Sequence, residues 1–226
     1  MRRGEAVRVE PEPYPVVYAK TAPVIDGKLD DELWQRAKLQ DQFYDGDRPG
    51  VKVSVAKAYL AWDEKNLYFA MEIQDKDLFW LDDPILCRSD VAELFVKHRA
   101  DPFDLYEFEF ALPDRLWNIL YISPGGGGTA RFDKFRSGTV FKTVANGTVN
   151  NWEDVDTGWT VEAAIPLTAF ARVVPNGPKP GDEWRLLMAG YDFSVYSEKI
   201  FIFSTCDNLK SFAQWSAYPK VRFMAP

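Results

Sequence analysis

Short runs that alternate apolar and polar residues occupy most of this chain. In residues 105–112, the large apolar side chains at 106, 108, 110 and 112 alternate with Leu105, Glu107, Glu109 and Ala111. A period of two is typical of a β-strand that turns one face to a core. Runs of this kind predict strands at residues 53–62, 67–74, 90–97, 105–112, 116–122, 139–145, 158–165, 184–193, 199–204 and 220–224.

Helical signals are few. Residues 30–37 follow a turn at Asp26-Gly27 and begin with aspartates that can accept from the first-turn amides, and a single turn is predicted at 167–171. Many short strands with one or two short helices predict an all-β fold, a β-sandwich of the jelly-roll kind. The 226 residues suit one large domain. We expect a loosely ordered, proline-rich lead-in over residues 1–15 and a single domain over 16–226.

The alternation also places acidic residues on the outer face of the strands. Glu93, Glu107 and Glu109 fall opposite the apolar positions, and so does Glu162. If their strands are neighbours, these glutamates share one side of a sheet, where they need cations, a metal or sugar hydroxyls. For Glu162 we expect a structural ion pair with Arg185 on an adjacent strand.

Composition narrows the classes of function. A net charge of -7 argues against nucleic-acid binding, which usually requires a basic patch. No stretch approaches the roughly 20 apolar residues of a membrane-spanning helix, and no apolar segment follows the basic N-terminus to make a signal peptide. Cys87 and Cys206 leave two alternatives, one disulfide or two free thiols.

Six blocks carry a resemblance to a known family. The blocks are residues 23–34, 58–75, 89–96, 106–110, 158–166 and 180–185. In this order along the chain they resemble the carbohydrate-binding modules of family 9 and their DOMON-like relatives. The resemblance implies a β-sandwich that often carries structural calcium and has a sugar-binding cleft at one edge. It also implies an extracellular or periplasmic location.

In this family a terminal sugar lies between two tryptophans. The resemblance puts the first at Cys87 and the second near Phe212, with Trp215 close behind, while Glu93 matches the sugar-contacting carboxylate. Pyranose faces are apolar and stack on flat rings, and carboxylates accept from the hydroxyls. The predicted carbohydrate-binding residues are therefore Trp80, Glu93, Glu109, Trp117, Phe212 and Trp215. For Trp80 and Trp117, packing against the core is the alternative.

The sequence contains candidate ligands for two cofactors, calcium and haem. Aspartate-rich turns can supply the oxygen ligands of calcium, and the candidates are Asp26, Asp30 and Asp75, with solvated acidic loops as the alternative. Related sandwiches bind haem through methionine and histidine or lysine. The candidate haem ligands here, Met71, Met188 and His98, make haem a minor alternative, because both methionines fit core positions.

The sequence thus predicts noncatalytic binding of a plant-type polysaccharide, or of its chain end, in support of a partner glycoside hydrolase. One alternative is a haem-binding electron-transfer domain on the same sandwich. Another is a hydrolase-associated structural domain whose sugar site has decayed. Glu93 and Glu109 as the acid and nucleophile of a glycosidase are a weaker possibility, since acidic chains offer such pairs freely.

Overall fold

The computed structural model describes residues 11–83, 86–98, 104–122, 131–132 and 134–226. The strands are β1 (Tyr14–Tyr18), β2 (Phe43–Asp45), β3 (Lys52–Val53), β4 (Ala56–Trp62), β5 (Asn66–Ile73), β6 (Val91–Lys97), β7 (Leu105–Ala111), β8 (Arg115–Tyr121), β9 (Arg131–Phe132), β10 (Val140–Asn146), β11 (Gly158–Pro166), β12 (Glu183–Asp192), β13 (Phe201–Ser204) and β14 (Lys220–Phe223). The helix α1 is Glu32–Arg36, and 3-10 turns occupy Leu86–Arg88, Leu167–Phe170 and Trp215–Ala217. No helix in these ranges has the length and apolar character needed to cross a membrane.

The strands form two layers joined by β1. The first sheet has the order β10-β11-β5-β4, and the second has the order β14-β12-β6-β7-β8-β9. The N-terminal half of β1 pairs in parallel with β14, and its C-terminal half pairs in parallel with β4. Strands β13, β2 and β3 extend from the end of β12. This arrangement confirms the predicted all-β sandwich.

One apolar core lies between the two sheets. Phe69 on β5 and Phe110 on β7 meet across the layers with ring centres 5.8 Å apart. Trp184 and Phe223 pack edge to face at 4.7 Å. The apolar positions of β6 and β7 face this core as predicted, and each large side chain buried there contributes about 1.5–3 kcal/mol.

Every predicted strand is present, with ends that differ by no more than three residues. The exception is the run 53–62, which is interrupted between β3 and β4. Strands β1, β2 and β9 were not predicted, because pieces of two to five residues show too little alternation. The lead-in boundary is also corrected, since Tyr14 and Pro15 already pair with β14; residues 1–10 lie outside the described part of the chain.

Glu162 corrects the prediction about the acidic face. Its strand, β11, pairs with β10 and β5, so Glu162 lies on the outer face of the first sheet, away from Glu93. Its Oε1 accepts from Trp34 Nε1 at 2.8 Å, and its Oε2 accepts from the backbone amides of Asp26 and Gly27, both at 3.0 Å. Three donors therefore satisfy this buried carboxylate.

The predicted pair between Glu162 and Arg185 is wrong. Arg185 belongs to β12 in the second sheet, and its Nη1 donates to the carbonyl of Tyr218 at 2.8 Å. The turn that reaches Glu162 requires glycine at position 27, which has a φ of 81°. A Cβ there would lie 2.5 Å from a methyl of Val144, so the turn packs directly on β10.

We expect Trp34→Phe to destabilise the fold, because it leaves a buried oxygen of Glu162 without its donor. The expected loss in the free energy of unfolding is about 1–3 kcal/mol, measured by urea denaturation. Trp152→Phe is the matched control, since Trp152 is 63% exposed. A double-mutant cycle with Glu162→Gln separates the hydrogen bond from the lost ring area. A coupling energy near zero would contradict the assigned role.

Candidate functional site

The outer face of the second sheet is covered by residues 205–219. From this segment, Phe212 packs on Phe95 of β6 and Tyr191 of β12, with ring centres 5.2 and 5.7 Å apart. Cys206 and Tyr218 complete a small apolar cluster with Phe95. Every residue of β6 and β7 is buried, because one face of these strands meets the core and the other meets this cover.

Three glutamates lie beneath that cover. Glu93 on β6 is the cross-strand neighbour of Glu109 on β7, and Glu107 is the next residue on the same face of β7. One carboxylate oxygen from each lies within 4.8 Å of the other two. Glu93 is only 1% exposed, and its buried Oε2 has no hydrogen-bond partner among the described residues.

Burial is the main cause of the raised pKa values in this glutamate cluster. Desolvation, reinforced by the charge of Glu107, raises the pKa of Glu109 to about 9. Desolvation also raises the pKa of Glu93 well above its ordinary value, with further contributions from Glu109 and Glu107. Glu109 is therefore mainly protonated at neutral pH in the ligand-free protein.

Aromatic side chains border the cluster. Trp117 on β8 is the cross-strand neighbour of Glu109, and it packs with Tyr191 against Leu86 and the start of β6. A cavity of about 200 Å³ lies beside the cluster, lined by Phe95, Leu105, Glu107, Tyr121, Ser211, Phe212 and Ala213. Glu107 and Phe212 line this cavity, whereas Glu93, Glu109 and Trp117 do not. We call the cavity and these three neighbouring side chains together the cleft.

Trp215 lies at the edge of the cleft. Its ring is 5.3 Å from Nζ of Lys97, which follows Glu93 and Phe95 on the outer face of β6. It also packs against the apolar cluster that contains Phe95. Trp215 thus supports the cover of the cleft from the side away from Trp117.

Trp80 lies outside the glutamate cluster. Its backbone amide donates to Oδ1 of Asn150 at 2.9 Å, and its ring lies 6.0 Å from the guanidinium carbon of Arg115. Together with Trp152 it lines a separate cavity of about 270 Å³. Arg115 stands two residues before Trp117 on β8, which makes Trp80 a flank of the cleft.

Three residues at the cleft were not among the predicted sugar contacts. Glu107 had the signal of strand alternation, which placed it on the same face as Glu109. Tyr191 packs on Phe212 but belongs to an apolar run with no distinguishing motif. Cys87 occupies the expected tryptophan position, and burial, then Glu109 and Glu107, raise the pKa of its thiol. Cys87 and Cys206 are free thiols, so they do not form the disulfide that the sequence allowed.

A second acidic cluster joins the two sheets. Asp75 follows β5, Asp90 precedes β6 and Asp192 ends β12, and one carboxylate oxygen from each lies within 4.8 Å of the others. Oδ1 of Asp90 accepts from the amide of Phe193 at 2.7 Å. Oδ2 of Asp75 is buried and has no partner in the described part of the chain. Burial, and next the charge of Asp75, raise the pKa of Asp90 to about 9.

The other two predicted calcium ligands lie elsewhere. Asp26 accepts from the amide of Lys28 at 2.9 Å and pairs with its side chain. Asp30 is exposed at the start of the α1 segment. Within the described ranges, neither belongs to a group of three ligating side chains. The backbone amides of the Asp26 turn instead donate to Glu162.

The candidate haem ligands occupy packed positions. Met71 and Met188 are buried in the apolar core between the sheets. His98 follows β6 and packs edge to face on Trp184 at 6.1 Å. Both methionines therefore fill core positions, as their alternation indicates.

The fold agrees with the comparisons. The model of the family described as "Carbohydrate family 9 binding domain-like" matches residues 25–197, and the chain belongs to this family. The resemblance seen in the sequence is therefore confirmed.

Individual relatives show the same relationship. The chain is 29% identical over 153 residues to endo-1,4-beta-xylanase C of Paenibacillus barcinonensis, a match that covers 64% of this chain and 12% of that protein. A family 9 carbohydrate-binding module from Caldicellulosiruptor kristjanssonii, in complex with cellotriose, has a TM-score of 0.65 at 19% identity and 95% coverage of both chains. Its glucose complex has a TM-score of 0.65 at 18% identity, covering 95% of this chain and 97% of that one. At these identities the structural likeness concerns the fold.

We expect Glu109→Gln to change how stability depends on pH. A glutamate titrates near 4.5 when unfolded and about 9 here, so the folded state keeps a proton that the unfolded state releases. The free energy of unfolding should therefore fall as the pH rises from about 5 to 9, and Glu109→Gln should remove a part on the order of a few kcal/mol. Urea denaturation across this range measures the effect. Glu153→Gln, at an exposed site, is the control, and equal slopes in all three proteins would contradict the prediction.

Proposed function

We propose that this chain is a noncatalytic carbohydrate-binding module that holds an oligosaccharide or a polysaccharide chain end in the cleft. The observation that carries the proposal is the placement of Trp117 opposite Glu109 on the neighbouring strand, and of Phe212 with Glu107 on the cavity beside the buried Glu93. Aromatic rings take the apolar faces of a pyranose, and carboxyl groups take its hydroxyls. Membership of the family supports the same assignment.

The protonation of the cleft suits a hydroxylated ligand. A neutral carboxylic acid can both donate and accept a hydrogen bond, which matches the dual character of a sugar hydroxyl. Oε2 of Glu93 lacks a partner among the described residues, and a buried polar atom in that condition costs about 1–3 kcal/mol. A ligand hydroxyl reaching it would remove that cost.

The same glutamates favour binding over hydrolysis. A retaining glycosidase needs one ionised carboxylate and one protonated carboxylic acid, held apart by different environments. Here burial, and next the charge of a neighbouring glutamate, raises the pKa of both Glu93 and Glu109. The cleft therefore has no built-in division into acid and nucleophile.

The similarity to a xylanase supports an association of the module with a glycoside hydrolase. The chain spans about 12% of that relative, so it corresponds to a small part of a much longer enzyme. We infer that the module works with a glycoside hydrolase on a plant-type polysaccharide such as xylan or cellulose. Since such polymers lie outside the cell, we also infer a secreted location.

We expect saturable binding of cello- or xylo-oligosaccharides in isothermal titration calorimetry. Trp117→Ala and Phe212→Ala should each weaken binding by about tenfold or more, because each removes a ring from the cleft. Trp152→Ala should leave affinity unchanged, since Trp152 lines the other cavity. Folded protein that binds none of these sugars would reject the function and leave a structural domain with a decayed site.

We also propose a structural calcium ion at Asp75, Asp90 and Asp192. Calcium prefers oxygen ligands, and the unpartnered Oδ2 of Asp75 fits that need. Three carboxylates that otherwise repel one another would be neutralised where β5 of the first sheet meets β6 and β12 of the second. The ion's role would be to hold these strand ends together.

We expect calcium to raise the melting temperature and a chelator to lower it. At calcium about 100-fold above its dissociation constant, the added stability is about 2.7 kcal/mol. Asp75→Asn should abolish the response, whereas the control Asp26→Asn should keep it because Asp26 lies in no such cluster. Differential scanning calorimetry with and without chelator makes the comparison. An unaltered response in Asp75→Asn would place the ion elsewhere.

A further inference from the structure

A second aromatic surface lies next to the cleft. Leu81, Trp152 and Val195 are 42%, 63% and 54% exposed, and all three line the cavity of about 270 Å³ that Trp80 also lines. Single apolar side chains are common on protein surfaces, but a contiguous group of them marks a binding surface. We call Trp80, Leu81, Trp152 and Val195 together the flanking surface.

Hydrogen bonds hold the flanking surface in place. The side chain of Asn150 accepts from the amide of Trp80 at 2.9 Å and donates to its carbonyl at 2.8 Å. The amide of Asn150 donates to the carbonyl of Leu78 at 2.8 Å, and the hydroxyl of Tyr196 donates to the carbonyl of Trp152 at 2.9 Å. The loops that carry Trp80 and Trp152 are thereby tied together. A ligand would therefore meet rings that are already positioned, and binding would lose little entropy in ordering them.

The groups that line this cavity suit a neutral, hydroxylated ligand. Among the described residues that line it, Asp77 is the one charged side chain. Its Oδ2 accepts from the hydroxyl of Ser194 at 2.9 Å and from the amide of Val195 at 2.8 Å. The other polar side chains there are two asparagine amides and Trp80, whose buried Nε1 has no acceptor in the described part of the chain. Flat rings with amides and an indole donor match a pyranose, which offers an apolar face and hydroxyl oxygens.

The flanking surface continues the cleft along β8. Trp117 and Arg115 pair with Glu109 and Ala111 on the same face of the sheet, and two residues of a strand span about 7 Å. The guanidinium carbon of Arg115 lies 6.0 Å from the centre of the Trp80 ring. Aromatic side chains therefore follow one another from the glutamates of the cleft to the cavity that Trp152 lines.

The shape and size of this surface favour a sugar chain over a folded protein. A stable protein–protein interface involves about 20–30 residues on each side. Nine residues line the cavity, and they form an extension of the cleft at one end. An extended polymer can follow such a line of rings.

We propose that the flanking surface binds a second stretch of the polysaccharide chain whose end lies in the cleft, with Trp80 and Trp152 contacting its sugar rings. This inference rests on the proposed function, because it extends the same ligand beyond the cleft. A short oligosaccharide fills the cleft alone, so Trp152 contributes only when the ligand is a polymer. Two contacts on one chain raise the apparent affinity, since the second contact is intramolecular.

The test compares a polymer with a short sugar. Calorimetry of the full chain measures the affinities for soluble xylan and hydroxyethylcellulose, and for xylobiose and cellobiose. Trp152→Ala should weaken polymer binding about tenfold more than disaccharide binding, as expected for the loss of one stacking ring. Trp152→Phe keeps a ring and should retain most of the polymer affinity.

Two further variants make the result independent of one substitution. Val195→Glu puts a charge into the cavity and should reproduce the loss that is specific to polymer. Val140→Ala is the matched control, because Val140 is 61% exposed but begins β10, whereas Trp152 follows the other end of that strand. This control should bind both kinds of ligand as the wild-type chain does.

The outcomes separate this inference from the proposed function. Equal polymer affinity in the wild-type chain and Trp152→Ala, with disaccharide binding intact, would overturn the inference while the proposed function stands. A loss shared equally by polymer and disaccharide would also overturn it, because Trp152 would then act through the cleft or the fold. If folded wild-type protein binds neither kind of ligand, both are overturned.

Discussion

The apolar layer shared by the two sheets is the constraint on which the rest of the structure depends. In each strand, alternate side chains point into that layer, and the remaining side chains lie on an outer face. On β6 and β7 the outer face is itself covered by residues 205–219, so Glu93, Glu107 and Glu109 are buried although they point away from the core. Burying acids in this way is unfavourable unless protons, cations or donors compensate for the lost water.

The buried acids of this protein differ in how far hydrogen bonds compensate for the lost water. Glu162 receives three hydrogen bonds from Trp34 and the Asp26-Gly27 turn, and it thereby attaches the start of the domain to β11. Glu93 and Asp75 each keep a buried oxygen without a partner in the described structure. A satisfied acid of this kind is part of the fold, whereas an unsatisfied one marks a place where a ligand would lower the free energy.

Two positions at the cleft differ from what the resemblance to the family implies. Cys87 stands where the resemblance implies a stacking tryptophan, and Phe212 stands near the position implied for the second. Trp117 provides an aromatic ring from β8 instead, directly beside Glu109. Family membership thus describes the scaffold, and the side chains of this chain decide what the scaffold holds.

Alternation along the sequence determined the strands, their inward faces and the outward direction of Glu93, Glu107, Glu109 and Glu162, because the backbone period of two is a local property. It could not determine which outward residues share a sheet. Glu162 and Glu93 follow the same local rule, yet strand pairing puts them on opposite sides of the molecule. The short strands β1, β2 and β9, the cover over the cleft and the meeting of Asp75 with Asp90 and Asp192 likewise depend on pairings between distant segments. Only the tertiary structure decided these, since long-range packing, and not local pattern, sets which side chains become neighbours.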